Sequence, residues 1–462
     1  MQHQALEQLQ NSGIELLTDA ESLAFYGRDY TTYQIPAPLA IVFPKTNEQV
    51  QSIINLARQY KLPLVPSGGR TGLSGGAVAA TGELVVAFDK MHKILGYDPV
   101  DQIVHCEAGL VLANLQNYAR EHAMFYPVDY ASSGSAQVGG SVATNGGGIK
   151  VIRYGMTRNW VVGLTVVTAR GDVLKLNQGL TKNATGYDFR HLFIGSEGTL
   201  GLITEVMLKL MRPPKPTKVM VFAVQHFEDI VKVLALAKRV LSLTAFEFFC
   251  KNSLEKVLSH HNLSRPCDTL TAYYALLEFD CADEDQEAAA LGCFESCLEE
   301  GWVQDGVISA SEAQAHNLWQ LRELISETIA KETPYKNDIS VRVSCLPQFI
   351  AEIEQTVSTY YPEFQLLWFG HIGDGNMHLN LIKPASWTKE AFVTSCNSLT
   401  HHVYQLVQKY HGSISAEHGI GTVKKTFLNY SRSQIEIDWM KQIKQVFDPD
   451  GIMNPNKMFD VG

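Results

Sequence analysis

The chain has 462 residues, 45% hydrophobic and 19% charged, with 38 basic against 48 acidic side chains and a net charge of −10. That length exceeds one ordinary core and predicts two or three globular domains, while the acidic balance argues against nucleic acid and anionic membrane as principal partners. Eight cysteines without a Cys-x-x-Cys pair fit reduced thiols in a cytoplasmic protein and no iron–sulfur cluster.

The opening residues Met1–Gln8 carry acid and no apolar segment, so neither a secretory signal nor an arginine-rich transit peptide is expected there. No run approaches the ~18 apolar residues of a membrane-spanning helix. Residues 5–19 are expected to be helical. Ala40–Phe43 reads as a strand, Lys45–Tyr60 as an amphipathic helix capped by Thr46 or Asn47, and Leu62–Pro66 as a second strand, a strand–helix–strand opening. It runs into Ser67-Gly-Gly-Arg-Thr-Gly-Leu-Ser-Gly-Gly76, where five glycines in ten residues leave amide groups free to converge on an anion such as a pyrophosphate. Neither G-x-G-x-x-G nor G-x-x-x-x-G-K-[ST] occurs, which disfavours a doubly wound nucleotide domain.

Strands at Leu84–Phe88 and Ile103–Glu107 and a helix near Val111–His122 lead to a second small-residue stretch, Ser132–Gly148. Its glycines let backbone approach a large flat ligand, and Ser, Thr and Asn supply hydrogen bonds. Val161–Thr168 and Val173–Leu176 form a hairpin through Ala169–Asp172. The proline-rich Arg212–Thr217 marks a domain boundary.

Beyond it, strands at Val219–Val224 and Tyr273–Phe279 alternate with helices at Phe227–Leu241 and Asp285–Glu299. This predicts helices on one face of an antiparallel sheet. Glu312–Lys331 reads as one long helix carrying Trp319 and Arg322. Ile339–Ser344 and Gln365–Phe369 read as strands, Ala391–His411 as a helix, and Phe447–Lys457 as a turn-rich docking tail. The expected domains are 1–214, 215–415 and a C-terminal segment, 416–462, returning to the first.

Two stretches concentrate the chemistry: Gly370-His-Ile-Gly-Asp-Gly-Asn-Met-His-Leu-Asn380 and Ser415-Ala-Glu-His-Gly-Ile-Gly421. His371, His378 and Glu417 make a two-histidine, one-carboxylate set suited to a catalytic divalent metal. The glycines between the histidines predict two strand ends folded together around a turn. His418, next to Glu417, can then point past the metal to a substrate.

Pro66–Gly76, Gly139-Gly-Ser-Val-Ala-Thr-Asn-Gly-Gly147 and Gly195-Ser-Glu-Gly-Thr-Leu-Gly201 resemble the FAD-binding segments of the vanillyl-alcohol oxidase / p-cresol methylhydroxylase flavoproteins. The two histidine-bearing stretches and Asp448-Pro-Asp-Gly-Ile-Met-Asn-Pro455 are similar to the D-2-hydroxyacid dehydrogenase branch of that superfamily. The similarity runs in order from about residue 35 to the end. It implies an α+β chain: a two-part FAD-binding domain, an antiparallel-sheet substrate or cap domain, and a returning C-terminal segment.

FAD contacts are implied at Pro66, Ser67, Gly68, Gly69, Arg70, Thr71, Gly72, Ser74 and Gly75 in the first loop. The second loop contributes Ser132, Ser133, Gly134, Gly139, Gly140, Ser141, Ala143, Thr144, Asn145 and Gly147. Glu197, Gly198, Gly201, Ile203 and Asn454 complete the set. Members with covalent flavin often carry a histidine in the first loop; Arg70 stands here, so non-covalent FAD is expected.

The resemblance also implies metal ligation, usually of zinc, by His371, His378 and Glu417, a base at His418, and substrate contacts from Arg322, Ser326, Lys336 and Asn380. The chain departs from the family at Ser326, where threonine is usual, and at Arg342, where proline is usual. Arg342 adds a cation to the candidate substrate set. The implied reaction is oxidation of a small D-2-hydroxyacid to the 2-oxoacid, with metal-assisted loss of the hydroxyl proton and hydride transfer to flavin N5. The size of the donor set favours the dicarboxylate D-2-hydroxyglutarate over D-lactate or glycolate. An oxygen-using oxidase of the same fold is an alternative, and a flavin-free metal hydrolase a more distant one. Electrons would leave to a separate acceptor, an electron-transfer flavoprotein or a quinone, and not to NAD. The sequence is compatible with a homodimer.

Overall fold

A computed structural model describes residues 2–460. Met1, at the head of the opening segment discussed above, and residues 461–462, at the end of the C-terminal segment, lie outside the described residues, as do the side chains of residues 2 and 3. The chain folds into two compact units. The first comprises Met1–Gly148, Gly155–Pro213 and Glu417–Gly462; the second comprises Ile149–Tyr154 and Pro214–Ala416.

The first unit has two sheets. One holds β1 (Glu15–Leu17), β2 (Ala40–Phe43), β3 (Leu64–Ser67) and β4 (Leu84–Ala87) in the order β1-β2-β4-β3. The strand–helix–strand opening forms as expected, but β4 inserts between its two strands and runs parallel to both. Thr46 caps the intervening helix, Asn47–Tyr60, by accepting from the Gln49 amide at 3.3 Å. The helix buries Val50, Ile53, Ile54 and Ala57, the i, i+3, i+4, i+7 stripe of an amphipathic helix. The second sheet is antiparallel and holds β5 (Ile94–Asp98), β6 (Ile103–Glu107), β7 (Val161–Thr168), β8 (Val173–Leu176) and β9 (Gly201–Lys209) in the order β5-β6-β9-β7-β8. The expected β7–β8 hairpin is present. The helix expected over 5–19 is shorter. It spans Gln2–Asn11 and stops before Gly13, whose φ of +74° is a left-handed exit, so that Glu15–Leu17 is free to pair as β1.

The second unit is built on one seven-stranded antiparallel sheet. Its strands are β10 (Thr217–Val224), β11 (Leu243–Cys250), β12 (Tyr273–Asp280), β13 (Asp305–Ile308), β14 (Tyr335–Ser340), β15 (Gln365–His371) and β16 (Asn376–Ile382), in the order β13-β10-β12-β11-β15-β16-β14. Helices cover both faces, not one. Leu254, Leu318, Trp319, Leu321, Ile325 and Ile329 pack on Val221, Ala245, Phe249, Leu276, Leu367 and Phe369. On the alternate positions Phe227 meets Phe248 edge-on at 5.2 Å and Phe294 stacks on Phe222 at 5.0 Å. A sheet buried on both sides shows little alternation: every residue of β11 is buried.

Two expected elements are corrected. Glu312–Lys331 is two helices, Glu312–Glu323 and Ile325–Ala330, separated at Leu324, where ψ is −8°. The offset lets the second helix bury Ile325, Thr328 and Ile329 while the first buries Leu318, Trp319, Leu321 and Arg322. The strand expected over Ile339–Ser344 is β14, which ends at Ser340. Val343–Cys345 is already a 3-10 turn into the helix Leu346–Tyr360, opened by Pro347 in its first turn. Arg342 is therefore exposed and off the sheet.

Candidate active site

In the second unit the register of β11, β14, β15 and β16 assembles one polar sheet face. Lys336 lies opposite Asn380 and Asp338 opposite His378 on the β14–β16 pairing; His378 lies opposite Phe369 and Asn376 opposite His371 on β15–β16. Because facing residues in an antiparallel pair share a side, these side chains point the same way. The turn His371–Asn376 closes with Gly375 at φ +89°, where a side chain would strain the backbone and an added Cβ would lie 2.1 Å from the Val341 carbonyl oxygen. It brings the two imidazoles together, their centroids 5.3 Å apart and their planes at 85°. His371 is 7% exposed.

Sequence reasoning missed Glu247. The β11–β15 register pairs Phe248 with Gly370, which carries Glu247 to His371. Glu247 Oε1 lies 2.7 Å from His371 Nδ1, and the carboxylate is 0% exposed. Its Oε2 lies 2.8 Å from Arg322 Nη2, an ion pair whose N–H is not aimed along it, so that Oε2 lacks an aligned hydrogen bond. Arg322 is 5% exposed and stacks over the Phe369 ring at 4.6 Å. Among the described residues its Nε–H has no hydrogen-bond partner. A neighbouring acid on the same face, Glu278 on β12, receives Trp319 Nε1 at 2.9 Å and hydrogen bonds from Thr244 and Lys150. The available signal was a single acidic residue within Leu243-Thr-Ala-Phe-Glu-Phe-Phe-Cys250. Buried Asp338, also missed, accepts from Asn376 Nδ2 at 2.9 Å.

The remaining predicted substrate residues differ in setting. Asn380 is buried, and its side-chain Nδ2 makes long bonds, 3.5 Å to the Leu367 carbonyl and 3.3 Å to that of His378. Lys336 is exposed, yet the protein around it lowers the pKa of its amine by desolvation. Ser326 is exposed on the second of the two helices. Glu417 and His418 belong to the first unit, half-buried at the start of its returning segment, with His418 Nε2 3.5 Å from Glu417 Oε1.

In the first unit the two glycine-rich stretches meet. A Cβ added at Gly69 would lie 2.1 Å from the Ser135 carbonyl oxygen, and one at Gly68 3.4 Å from Gln137 Oε1. Among the described residues the amides of Gly69, Arg70, Thr71, Gly72, Leu73 and Ser74 donate to no protein acceptor, while Gly75 N donates to Asp29 at 2.8 Å. Arg70 does not point outward from this loop. It pairs with Asp89 at 3.1 Å, donates to the Gly68 carbonyl at 2.7 Å and stacks over Tyr26 at 4.7 Å, bracing the turn. Pro66 and Ser67 end β3, and Ser74 is buried.

In the second stretch, Ser132 and Ser133 carbonyls accept the Ala136 and Ala113 amides at 2.8 and 3.0 Å. Gly134 and Gly140 border open space. Gly139, Gly140, Ser141, Ala143 and Thr144 lie in the short helix Val138–Thr144, capped by left-handed Asn145. Ser141 bonds Tyr130, Thr144 bonds the Gly140 carbonyl at 3.0 Å, and Gly147 follows the helix. The Ala143 carbonyl accepts Glu197 N at 2.8 Å.

Buried Glu197 accepts the amides of Ile420 and Gly421, each at 2.8 Å; burial raises its pKa and those two bonds oppose the rise. Gly198 packs on Pro66, while Gly201 and Ile203 lie on β9. Asn454 Nδ2 donates to the Gly76 carbonyl at 2.9 Å and the Glu197 carbonyl at 2.7 Å, tying the returning segment to the first loop. Small residues, the loop amides and the buried Gln137 Oε1, the last two without partners among the described residues, fit a large polar cofactor with a pyrophosphate.

Residues 38–177 match the FAD binding domain family, and residues 213–458 the family of FAD linked oxidases, C-terminal domain. The chain belongs to the FAD-linked oxidases. Among curated relatives, the D-2-hydroxyglutarate dehydrogenase of Stutzerimonas stutzeri is 54% identical over 445 residues, 96% of each chain. That of Xanthomonas citri is 50% identical over 97% of this chain and 94% of the relative. Among solved structures, substrate-bound p-cresol methylhydroxylase superposes with a TM-score of 0.74 over 99% of this chain and 97% of that one; at 16% identity the likeness is one of fold. The chain is thus an FAD-linked oxidoreductase of the α+β, p-cresol methylhydroxylase type. No helix among the described residues is long and apolar enough to cross a membrane.

Proposed function

We propose that this chain is an FAD- and metal-dependent dehydrogenase that oxidises D-2-hydroxyglutarate to 2-oxoglutarate. The observation that carries the substrate assignment is Arg322. A guanidinium 5% exposed whose Nε–H has no partner among the described residues is a costly arrangement that a carboxylate would relieve. Glu247 compensates its charge only through an unaligned contact. Lys336 and Asn380, facing each other across β14 and β16, suit the second carboxylate of a diacid; the cation Arg342 and the hydroxyl of Ser326 are further candidates for it. The relatives named for D-2-hydroxyglutarate support the same substrate.

The perpendicular His371 and His378 rings, with a carboxylate from Glu417, make a donor set suited to a divalent cation, zinc foremost. When bound, that cation supplies Lewis acidity to the substrate hydroxyl and FAD supplies a hydride acceptor at N5. The chain's own groups do the rest. His418 takes the hydroxyl proton on an imidazole nitrogen, Arg322 orients the carboxylate beside the reacting carbon, and the first-loop amides hold the non-covalent cofactor. The electrons taken from the substrate would leave to a separate acceptor, an electron-transfer flavoprotein or a quinone.

A dye-reduction assay over equal concentrations of D-2-hydroxyglutarate, D-malate and D-lactate tests the assignment. The expected order of kcat/KM is D-2-hydroxyglutarate first, D-malate second and D-lactate last. A higher value for D-lactate overturns the substrate. Peroxide formation in air at the dye-reduction rate would make the enzyme an oxidase.

A further inference from the structure

We propose that Glu247 is the positioning residue of the metal site: its carboxylate holds Nδ1–H of His371 and so presents Nε2 as the ligand nitrogen. The proposal rests on the metal reading above. With Nδ1 2.7 Å from Glu247 Oε1, the neutral ring keeps its proton on Nδ1 and its lone pair on Nε2. A carboxylate behind a metal-ligating histidine fixes the tautomer and ring orientation and makes the ligand nitrogen more basic. The surroundings admit little else for this acid. Glu247 is 0% exposed, its neighbours along β11 are Phe246 and Phe248, and its second oxygen faces Arg322. One side chain therefore sets both a metal ligand and the substrate cation.

The rival account is a buried ion pair that only fastens the helix Glu312–Glu323 to the sheet. Glu278 provides the control, because it fastens the same helix through Trp319 without a hydrogen bond to His371. The experiment titrates Zn²⁺ into metal-stripped, FAD-loaded enzyme against a competing chelator, for the wild type, Glu247→Gln, Glu278→Gln and His371→Ala. Glu247→Gln is expected to bind Zn²⁺ roughly 10- to 100-fold more weakly with its flavin content unchanged, and Glu278→Gln within about 2-fold of the wild type. Wild-type affinity in Glu247→Gln, or an equal loss in Glu278→Gln, overturns the proposal. If the wild type binds no Zn²⁺, or His371→Ala binds it as tightly, the metal reading itself falls and takes the proposal with it. Should Glu247→Gln not fold with Arg322 left uncompensated, Glu247→Gln/Arg322→Met is compared with Arg322→Met. The same 10- to 100-fold loss is then expected, and its absence overturns the proposal.

Discussion

In the first unit the residues that matter are the ones with least side chain. Gly69 sits where a Cβ would lie 2.1 Å from a carbonyl oxygen, and six consecutive loop amides, Gly69–Ser74, have no protein acceptor among the described residues. In the second unit the polar face is made of large side chains on regular strands, with Glu247, His371, His378, Lys336 and Asn380 aligned by register. On the function proposed above, one unit would recognise its ligand with backbone held close, the other with side chains set by strand register. Backbone recognition fails by collision, which is all or none. Side-chain recognition fails group by group, and each group has its own measurable loss.

The sharpest break in this comparison is Gly69→Val. A branched side chain cannot be placed without moving the Ser135 backbone, so the variant should purify without flavin or fail to fold. His371→Ala, by contrast, should keep its flavin while losing metal and turnover. Absorbance at the flavin bands together with metal content checks both. Flavin loss in His371→Ala would show that the units do not hold their ligands independently.

Next in size is His418→Ala. As the proposed base its removal should lower kcat by about 10²- to 10⁴-fold while metal and flavin stay bound. Loss of the metal instead would move His418 into the ligand set and leave the base to be sought elsewhere.

The same contrast explains what could be read from the chain alone. Collisions impose glycine, and glycine runs such as Ser67–Gly76 stand out in any sequence. The histidines of Gly370–Asn380 stood out as well, because they flank a turn whose glycines announce it. Glu247 did not, since it lies 124 residues from its partner His371, inside a strand whose burial on both faces erased the alternation that would have revealed it. The break at Leu324 escaped for a related reason. The stretch Glu312–Lys331 has helical composition throughout, and the division arises from the separate surfaces its two halves bury. Arg342, read as an addition to the substrate set on a strand, leaves the sheet because Pro347 opens the next helix.

The smallest expected effect concerns Lys336. If its amine holds the distal carboxylate, Lys336→Ala should raise KM for D-2-hydroxyglutarate by roughly 5- to 150-fold, the equivalent of an abandoned charge-assisted bond of about 1–3 kcal/mol. D-lactate, with no second carboxylate, should change little. Desolvation places the Lys336 pKa below its ordinary 10.5, and this sets the pH dependence. The protonated amine that attracts the diacid is fully present at low pH and is lost as pH rises through that lowered value. The preference for the diacid over D-lactate should therefore decline on the alkaline side earlier than an unperturbed lysine would allow, and Lys336→Ala should abolish that decline. Parallel kcat/KM profiles for the two acids in wild type and variant decide the matter. An equal penalty on both substrates would place Lys336 at the reacting end, where it could not select substrate length.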